Sequence, residues 1–274
     1  MKNSLFIKKT GQGPNLVLLH GWGLHGDIFE PVLHLFEEYF QVHVLDLPGF
    51  GRSVCDNETY DLDYVLKKVL EVVPNNAYYL GWSLGGMLGM ALAIRFPKKV
   101  KGLISVAATP RFIKSEDWPT AMQAETLDGF QQQLVEDFRG TLIRFLAIQT
   151  LGSQTQQQDI QYLKDITFRF GEPAPKALSG GLEILHQTDL RDGLQNIKCP
   201  WLQLYGKNDS IVPAKALDAI ASLHPKSHQH LFNRASHAPF ISHPHDFFHI
   251  CKNFLEMLQE ADENETLNQA EHSN

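Results

Sequence analysis

Cysteine is scarce in this chain: only Cys55, Cys199 and Cys251 occur in 274 residues. An odd number of widely separated thiols makes no disulfide framework and suits a reducing compartment, so a cytoplasmic protein is expected. Their spacing matches no zinc knuckle either. Long apolar runs are missing, which argues against a membrane span, and the hydrophobic part of Met1 to Lys9 is too short for a secretion signal. An excess of positive charge is also lacking. With 24 Lys and Arg against 31 Asp and Glu the formal charge is −7, and six acids beyond Lys252 account for all but one unit of it, so no basic surface awaits nucleic acid. Gly21, Gly23 and Gly26 do not form a dinucleotide fingerprint, and no Gly-Lys-Ser or Gly-Lys-Thr follows them, which sets nucleotide binding aside.

What is present is an ordinary globular composition, 43% hydrophobic, in a chain long enough for one large domain with an insertion. From Leu16 to Ala107 strand-like runs alternate with helical ones, and the rhythm resumes from Cys199 to a last helix around Phe247 to Leu258. That pattern predicts an α/β fold with a mostly parallel central sheet flanked by helices, its active residues at the carboxyl ends of strands. Residues 1–109 and 189–258 are read as the core. The stretch 110–188 lacks strand alternation. Leu134, Phe138, Leu142 and Phe145 are spaced as one helical face, as are Leu178, Leu182 and Leu185, so it is read as an inserted helical lid. Residues 259–274 are polar, acidic and free of aromatics, and are expected to be a disordered tail or a frayed helix end.

The chemistry starts at Gly81-Trp82-Ser83-Leu84-Gly85, between the apolar run Ala77 to Leu80 and the helical run Met87 to Ile94. A serine between strand and helix, with glycines around it, is the layout of a nucleophile elbow. A hydroxyl is a poor nucleophile at neutral pH, so a histidine base and an orienting carboxylate are needed downstream. Asp209 is the candidate acid, in a turn-rich loop after the strand-like Trp201 to Tyr205; a helix cap ahead of Ala214 is its competing role. His237 is the candidate base, on a small-residue loop after His228 to Phe232. Two backbone N–H groups should meet the developing oxyanion, one from Leu84 and one from Trp22 in His20-Gly21-Trp22-Gly23, whose indole would also wall the pocket. His20, at a strand end, suits a buried hydrogen-bonding role, and Asp46 with Arg52 would brace the oxyanion loop. His245 and His249 share a helical face, but no further ligand completes a metal site there, so no metal is assigned.

These residues place the chain among proteins that resemble the α/β-hydrolases. Finer segments narrow the likeness: Leu18 to Leu24, Asp46 to Ser53, Leu80 to Gly86, Gly129 to Leu134, Arg144 to Ala147, Gly180 to Leu185 and His237 to Pro244 resemble the pimeloyl-[acyl-carrier protein] methyl ester esterases of biotin synthesis, from about Leu16 to Phe248 and through the lid. The resemblance implies hydrolysis of the methyl ester of a pimeloyl chain carried on an acyl-carrier protein. Ser83, Asp209 and His237 would form the triad, Trp22, Ser83, Leu84, Phe145, Gln149 and His237 would contact substrate, and a monomer would need neither metal nor organic cofactor. Carrier docking through lid cations would fall to Arg139 and Arg144; Gln154, Gln156, Gln157, Gln158 and Gln161 stand where basic residues would be natural. The alternative is a general short-acyl carboxylesterase with no carrier partner.

Overall fold

The computed structural model describes residues 5–56 and 59–271. Its elements run β1 (Ile7–Thr10), β2 (Asn15–Leu19), α1 (Glu30–Glu37), β3 (Gln41–Leu45), α2 (Leu62–Val72), β4 (Ala77–Trp82), α3 (Leu84–Arg95) and β5 (Val100–Val106). After them come α4 (Ala124–Glu136), α5 (Phe138–Thr150), α6 (Gln156–Thr167) and α7 (Pro175–Gln187), and the chain closes with β6 (Trp201–Gly206), α8 (Ala216–Leu223), β7 (His228–Phe232), α9 (Pro239–Ser242) and α10 (Pro244–Glu271). Seven strands form one sheet in the order β1-β3-β2-β4-β5-β6-β7. Only β1 runs antiparallel to its neighbour.

The near-continuous apolar runs of the inner strands follow from this layering. Helices cover both faces, so in β4 every side chain from Ala77 to Trp82 is buried, with no alternation. One face packs α2, α3 and α8 around Val17, Tyr79 and Leu103; the other packs α1, α9 and α10 around Leu18, Leu80 and Ile104, with Phe36, Phe240, Phe247 and Phe254 filling the space. Strand order reverses between β2 and β4, which flank each other although β3 intervenes in sequence. In open α/β sheets the crevice beyond the carboxyl ends at such a switch point is where ligands bind. The loops leaving β2 and β4 are His20 to Gly23 and Ser83.

Between β5 and β6 the chain leaves the sheet. Residues 110–122 form an irregular segment with isolated bridges, one of them Arg111 to Asp189, before the four helices α4 to α7. Leu134 to Phe145 is not one helix: it breaks at Asp137, whose carboxylate accepts the Gly140 N–H and caps α5 afresh. Local capping outcompetes a continuous apolar stripe because it satisfies a first-turn donor that has no intrahelical partner. The segment from 259, expected to be disordered or a frayed helix end, continues α10 as far as Glu271. Its first turns stay attached through Lys101 and Asp262, 2.6 Å apart, and Leu258 remains buried against the sheet, so the helix propagates outward from a packed base. Residues 272–274 of that segment lie outside the described residues. The edge strand β1 lies within the stretch read as core, ahead of Leu16, where the alternation of strands and helices was taken to begin.

Candidate active site

The chain reverses direction at Ser83 between β4 and α3. Ser83 has φ 54° and ψ −116°, a region that costs a residue with a Cβ of order 1–3 kcal/mol and is held only where the surroundings impose it. Here they do. Ser83 N–H donates to the Val106 carbonyl at 2.9 Å, and its own carbonyl takes the Gly86 and Met87 N–H groups. A side chain at Gly81 would run into the Gly85 carbonyl, and one at Gly85 into the Leu19 carbonyl, so the turn closes only with glycine at both places. Leu84 is the first residue of α3, and its N–H has no carbonyl one turn back to bond. Gly21 lies against the elbow, close enough that a Cβ there would sit 2.9 Å from the Trp82 ring and 3.3 Å from Ser83 Cβ. The early glycine loop and the serine therefore share one crevice.

Asp209 and His237 arrive on the loops after β6 and β7. Asp209 Oδ1 accepts the Ile211 and Val212 N–H groups at 2.8 and 3.0 Å, and Oδ2 lies 2.7 Å from His237 Nδ1. Both side chains are fully buried. One oxygen thus closes the turn of its own loop and the other meets histidine; the expected helix cap is not made, since α8 begins at Ala216 with Lys215 at its N-cap and no side-chain cap bond. The acid and base loops are sewn together by Lys207 N–H to the Phe232 carbonyl and Asn208 N–H to the Ala235 carbonyl. On the other side of the ring, His237 Nε2 is buried with no hydrogen-bond partner, the Ser83 hydroxyl included. An acceptor aimed at nothing in a buried site is costly unless something else is to fill its valence.

The lid packs directly on this crevice. The Trp22 indole N–H donates to the Leu178 carbonyl of α7 at 2.8 Å, Phe145 of α5 meets the indole edge-on at 5.0 Å, and Gly181 comes close enough that a Cβ would be 2.7 Å from Trp22 Cδ1. Leu84 lies just beyond, 3.8 Å from the same position. Gln149 is buried; its backbone carbonyl accepts the His237 N–H at 3.1 Å, while its side-chain Oε1 has no partner. The structure therefore brings Trp22, Leu84 and Phe145 side by side and sets Gln149 beside His237. Leu178 is legible in the sequence as part of an apolar lid face, but its bond to Trp22 is not, because a backbone carbonyl makes it and any residue would supply one.

Other reactive-looking groups are occupied. His20 Nε2 accepts the Leu47 N–H at 2.8 Å, which leaves Nδ1 to donate to the Gly21 carbonyl at 2.7 Å. Burial pushes its pKa down to about 4, so it is a neutral strut under the glycine loop. Burial pushes the Asp46 carboxyl up, but hydrogen bonds from the Arg52 guanidinium and the Arg52 and Gly26 N–H groups outweigh it and the net shift is downward. Burial raises the Cys251 thiol and pushes Cys199 up to about 12, so neither is a nucleophile. Among the described residues no group of three or more His, Cys, Asp or Glu is arranged to hold a metal ion, and none of the helices is long and apolar enough to cross a membrane.

Comparison with known proteins agrees with this geometry. The family described by the alpha/beta hydrolase fold matches residues 14–244. Among curated proteins, the pimeloyl-[acyl-carrier protein] methyl ester esterase of Aeromonas hydrophila subsp. hydrophila is 40% identical over 253 residues, covering 92% of this chain and 99% of that protein. Among solved structures, an esterase from Exiguobacterium antarcticum superposes with a TM-score of 0.84 at 22% identity, covering 92% of this chain and 95% of that one. A bromoperoxidase from Bacillus anthracis superposes at 0.81 and 23% identity over 92% and 95% of the two chains. At these identities the structural likenesses establish the fold.

Proposed function

On the premise that this chain belongs to the alpha/beta hydrolase family, together with the pimeloyl-[acyl-carrier protein] methyl ester esterases, we propose that it hydrolyses the methyl ester of pimeloyl-[acyl-carrier protein] to the free acid and methanol, a step of biotin synthesis. The reaction class is that of a serine carboxylesterase, and the observation that carries it is the buried Asp209 to His237 bond at the same sheet end as the strained Ser83. Ser83 Oγ attacks the ester carbonyl carbon and passes its proton to His237 Nε2. Asp209 holds the opposite N–H and stabilises the imidazolium. The oxyanion is met by the Leu84 N–H at the start of α3 and by the Trp22 N–H. Collapse of the intermediate expels methanol, which takes the proton from Nε2; water then attacks the acyl-serine by the same relay and releases the carboxylic acid. The Ser83 to His237 hydrogen bond forms when substrate fills the crevice, since unliganded catalytic contacts are commonly loose. Trp22, Leu84 and Phe145 wall the acyl chain, and Gln149, with its open Oε1, offers it one polar contact.

A specific observation favours a second reading. The two lid arginines expected to meet an acidic carrier are already engaged, Arg139 with Glu172 at 2.7 Å and Arg144 with Asp137 at 3.3 Å and Gln133 at 3.1 Å; nearby Arg169 is bound to Asp27 and Glu30. A general short-acyl carboxylesterase would need no carrier site at all. Steady-state turnover of the carrier-linked ester against free methyl pimelate separates the two. The main reading expects kcat/KM for the carrier-linked ester to be higher by at least about tenfold, and rescue of a biotin-requiring strain that lacks its own esterase. Equal efficiency on both substrates would establish the second.

A further inference from the structure

Trp82 occupies the variable position of the elbow, next to the nucleophile, and nothing in the reaction above uses it. Its indole is completely buried. The indole N–H donates to the backbone carbonyl of His237 at 2.8 Å, and the ring lies 5.6 Å from the imidazole, centroid to centroid. On another side the same ring bounds the approach of Gly21, and Phe240 packs on it edge-on at 5.4 Å. The His237 backbone is thus held on both sides of its Cα, its N–H by the Gln149 carbonyl of the lid and its C=O by the residue that precedes the nucleophile. A buried carbonyl without that donor would have no water to replace it.

We infer that Trp82 is a positioning residue: through the hydrogen bond to the His237 carbonyl it ties the base loop to the nucleophile elbow and sets the imidazole relative to Ser83, with the lid carbonyl of Gln149 as the opposing anchor. The coupling is direct in sequence, because any shift of the elbow that moves Ser83 moves the indole and carries the base with it. The inference rests on Ser83, Asp209 and His237 being the catalytic set.

The test is titration of the full chain with a fluorophosphonate, in which the amplitude counts folded active sites and the rate constant per site reports alignment of serine and base. Trp82→Phe is expected to titrate fully but react about tenfold more slowly per site, as loss of one buried hydrogen bond would give, with kcat for p-nitrophenyl acetate falling in parallel and KM within about twofold. Phe240→Leu, which removes packing from the same ring but no hydrogen bond, is expected to keep its rate per site. If Trp82→Phe titrates poorly, replacement of Trp82 by β-(3-benzothienyl)alanine keeps the shape and removes only the donor, and the same slowing is expected there. A wild-type rate per site in the donor-free protein, or equal slowing by Phe240→Leu, would overturn the inference. Ser83→Ala with undiminished labelling would instead sink the catalytic assignment on which it rests.

Discussion

Two buried clusters that set a carboxylate near an imidazole stand at one end of the sheet, one on the loops after β2 and β3 and the other on those after β6 and β7, and they are finished differently. Around Asp46 every valence is met: Oδ1 by Gly26 N–H and Arg52 Nη2, Oδ2 by Arg52 N–H and Nε, and both nitrogens of His20 by backbone. Around Asp209 both carboxylate oxygens are also bonded, yet His237 Nε2 has nothing. Both clusters are buried, so burial does not tell them apart. What does is the one open site. Unbonded buried atoms occur elsewhere too, as at His43 Nδ1 and Tyr79 Oη, so the open Nε2 carries meaning only with its carboxylate partner and its place at the elbow: a base must keep a position for the proton it will receive.

The comparison is broken most severely by removing its chemical half. Ser83→Ala and His237→Ala are each expected to lower esterase turnover by about 10⁴-fold or more, read with p-nitrophenyl acetate, while the urea midpoint of Ser83→Ala stays near wild type. Asp46→Ala should do the reverse. Loss of the anionic centre leaves Arg52 and the Gly26 N–H without partners and is expected to cost about 3 kcal/mol in urea unfolding, with the rate per titrated site within about threefold of wild type. The two halves would lose their distinction if Asp46→Ala abolished turnover at full titration amplitude.

Acid should weaken the structural cluster next. With His20 held down to about 4 when folded and ordinary when unfolded, the unfolded chain binds a proton that the folded chain does not between roughly pH 6.5 and 4. Stability therefore falls as pH drops through that window, by up to about 3 kcal/mol from this residue, and the His20 contribution is flat below it. The Asp46 carboxyl, depressed in the fold, adds a contribution that is complete above the ordinary carboxylate range and lost as pH falls through its folded value. Urea midpoints at pH 7 and 4.5 measure the fall, which His25, His43 and His230, also held down by burial, share with His20, and His20→Gln should reduce it by the His20 part.

The smallest effect belongs to the lid surface. Arg144 and Asp137 are both half exposed, so their pair adds little to stability, and Arg144→Ala should shift kcat/KM on the carrier-linked ester by no more than about threefold at physiological salt. A loss well beyond that, absent on free methyl pimelate, would identify Arg144 as a docking residue that exchanges Asp137 for the carrier.

Much of the fold was legible because local signals and packing agree. The fully apolar β4, the glycines around Ser83 and the turn residues after β6 each declare a strand, an elbow and an acid loop within a few positions. The helical insertion was readable from its lack of alternation, but its division at Asp137 was not, since the apolar stripe runs through the break and only the cap reveals it. Edge strand β1 was missed because four residues, two of them exposed lysines, carry no strand period. The bond from Trp22 to Leu178 and the contact of Trp82 with His237 left no mark either: one is made by a main-chain carbonyl, and the other comes from the position that an elbow leaves free.

Residue order alone settled where a serine would stand strained between strand and helix, and that an acid and a histidine would follow on later loops, because strand periodicity and glycine sterics are local properties. Folding settled what those groups meet. The lid carbonyl under the Trp22 indole and the grip on both sides of the His237 backbone join residues 88 to 156 positions apart, and contacts of that range exist only once the sheet and the insertion have closed on each other.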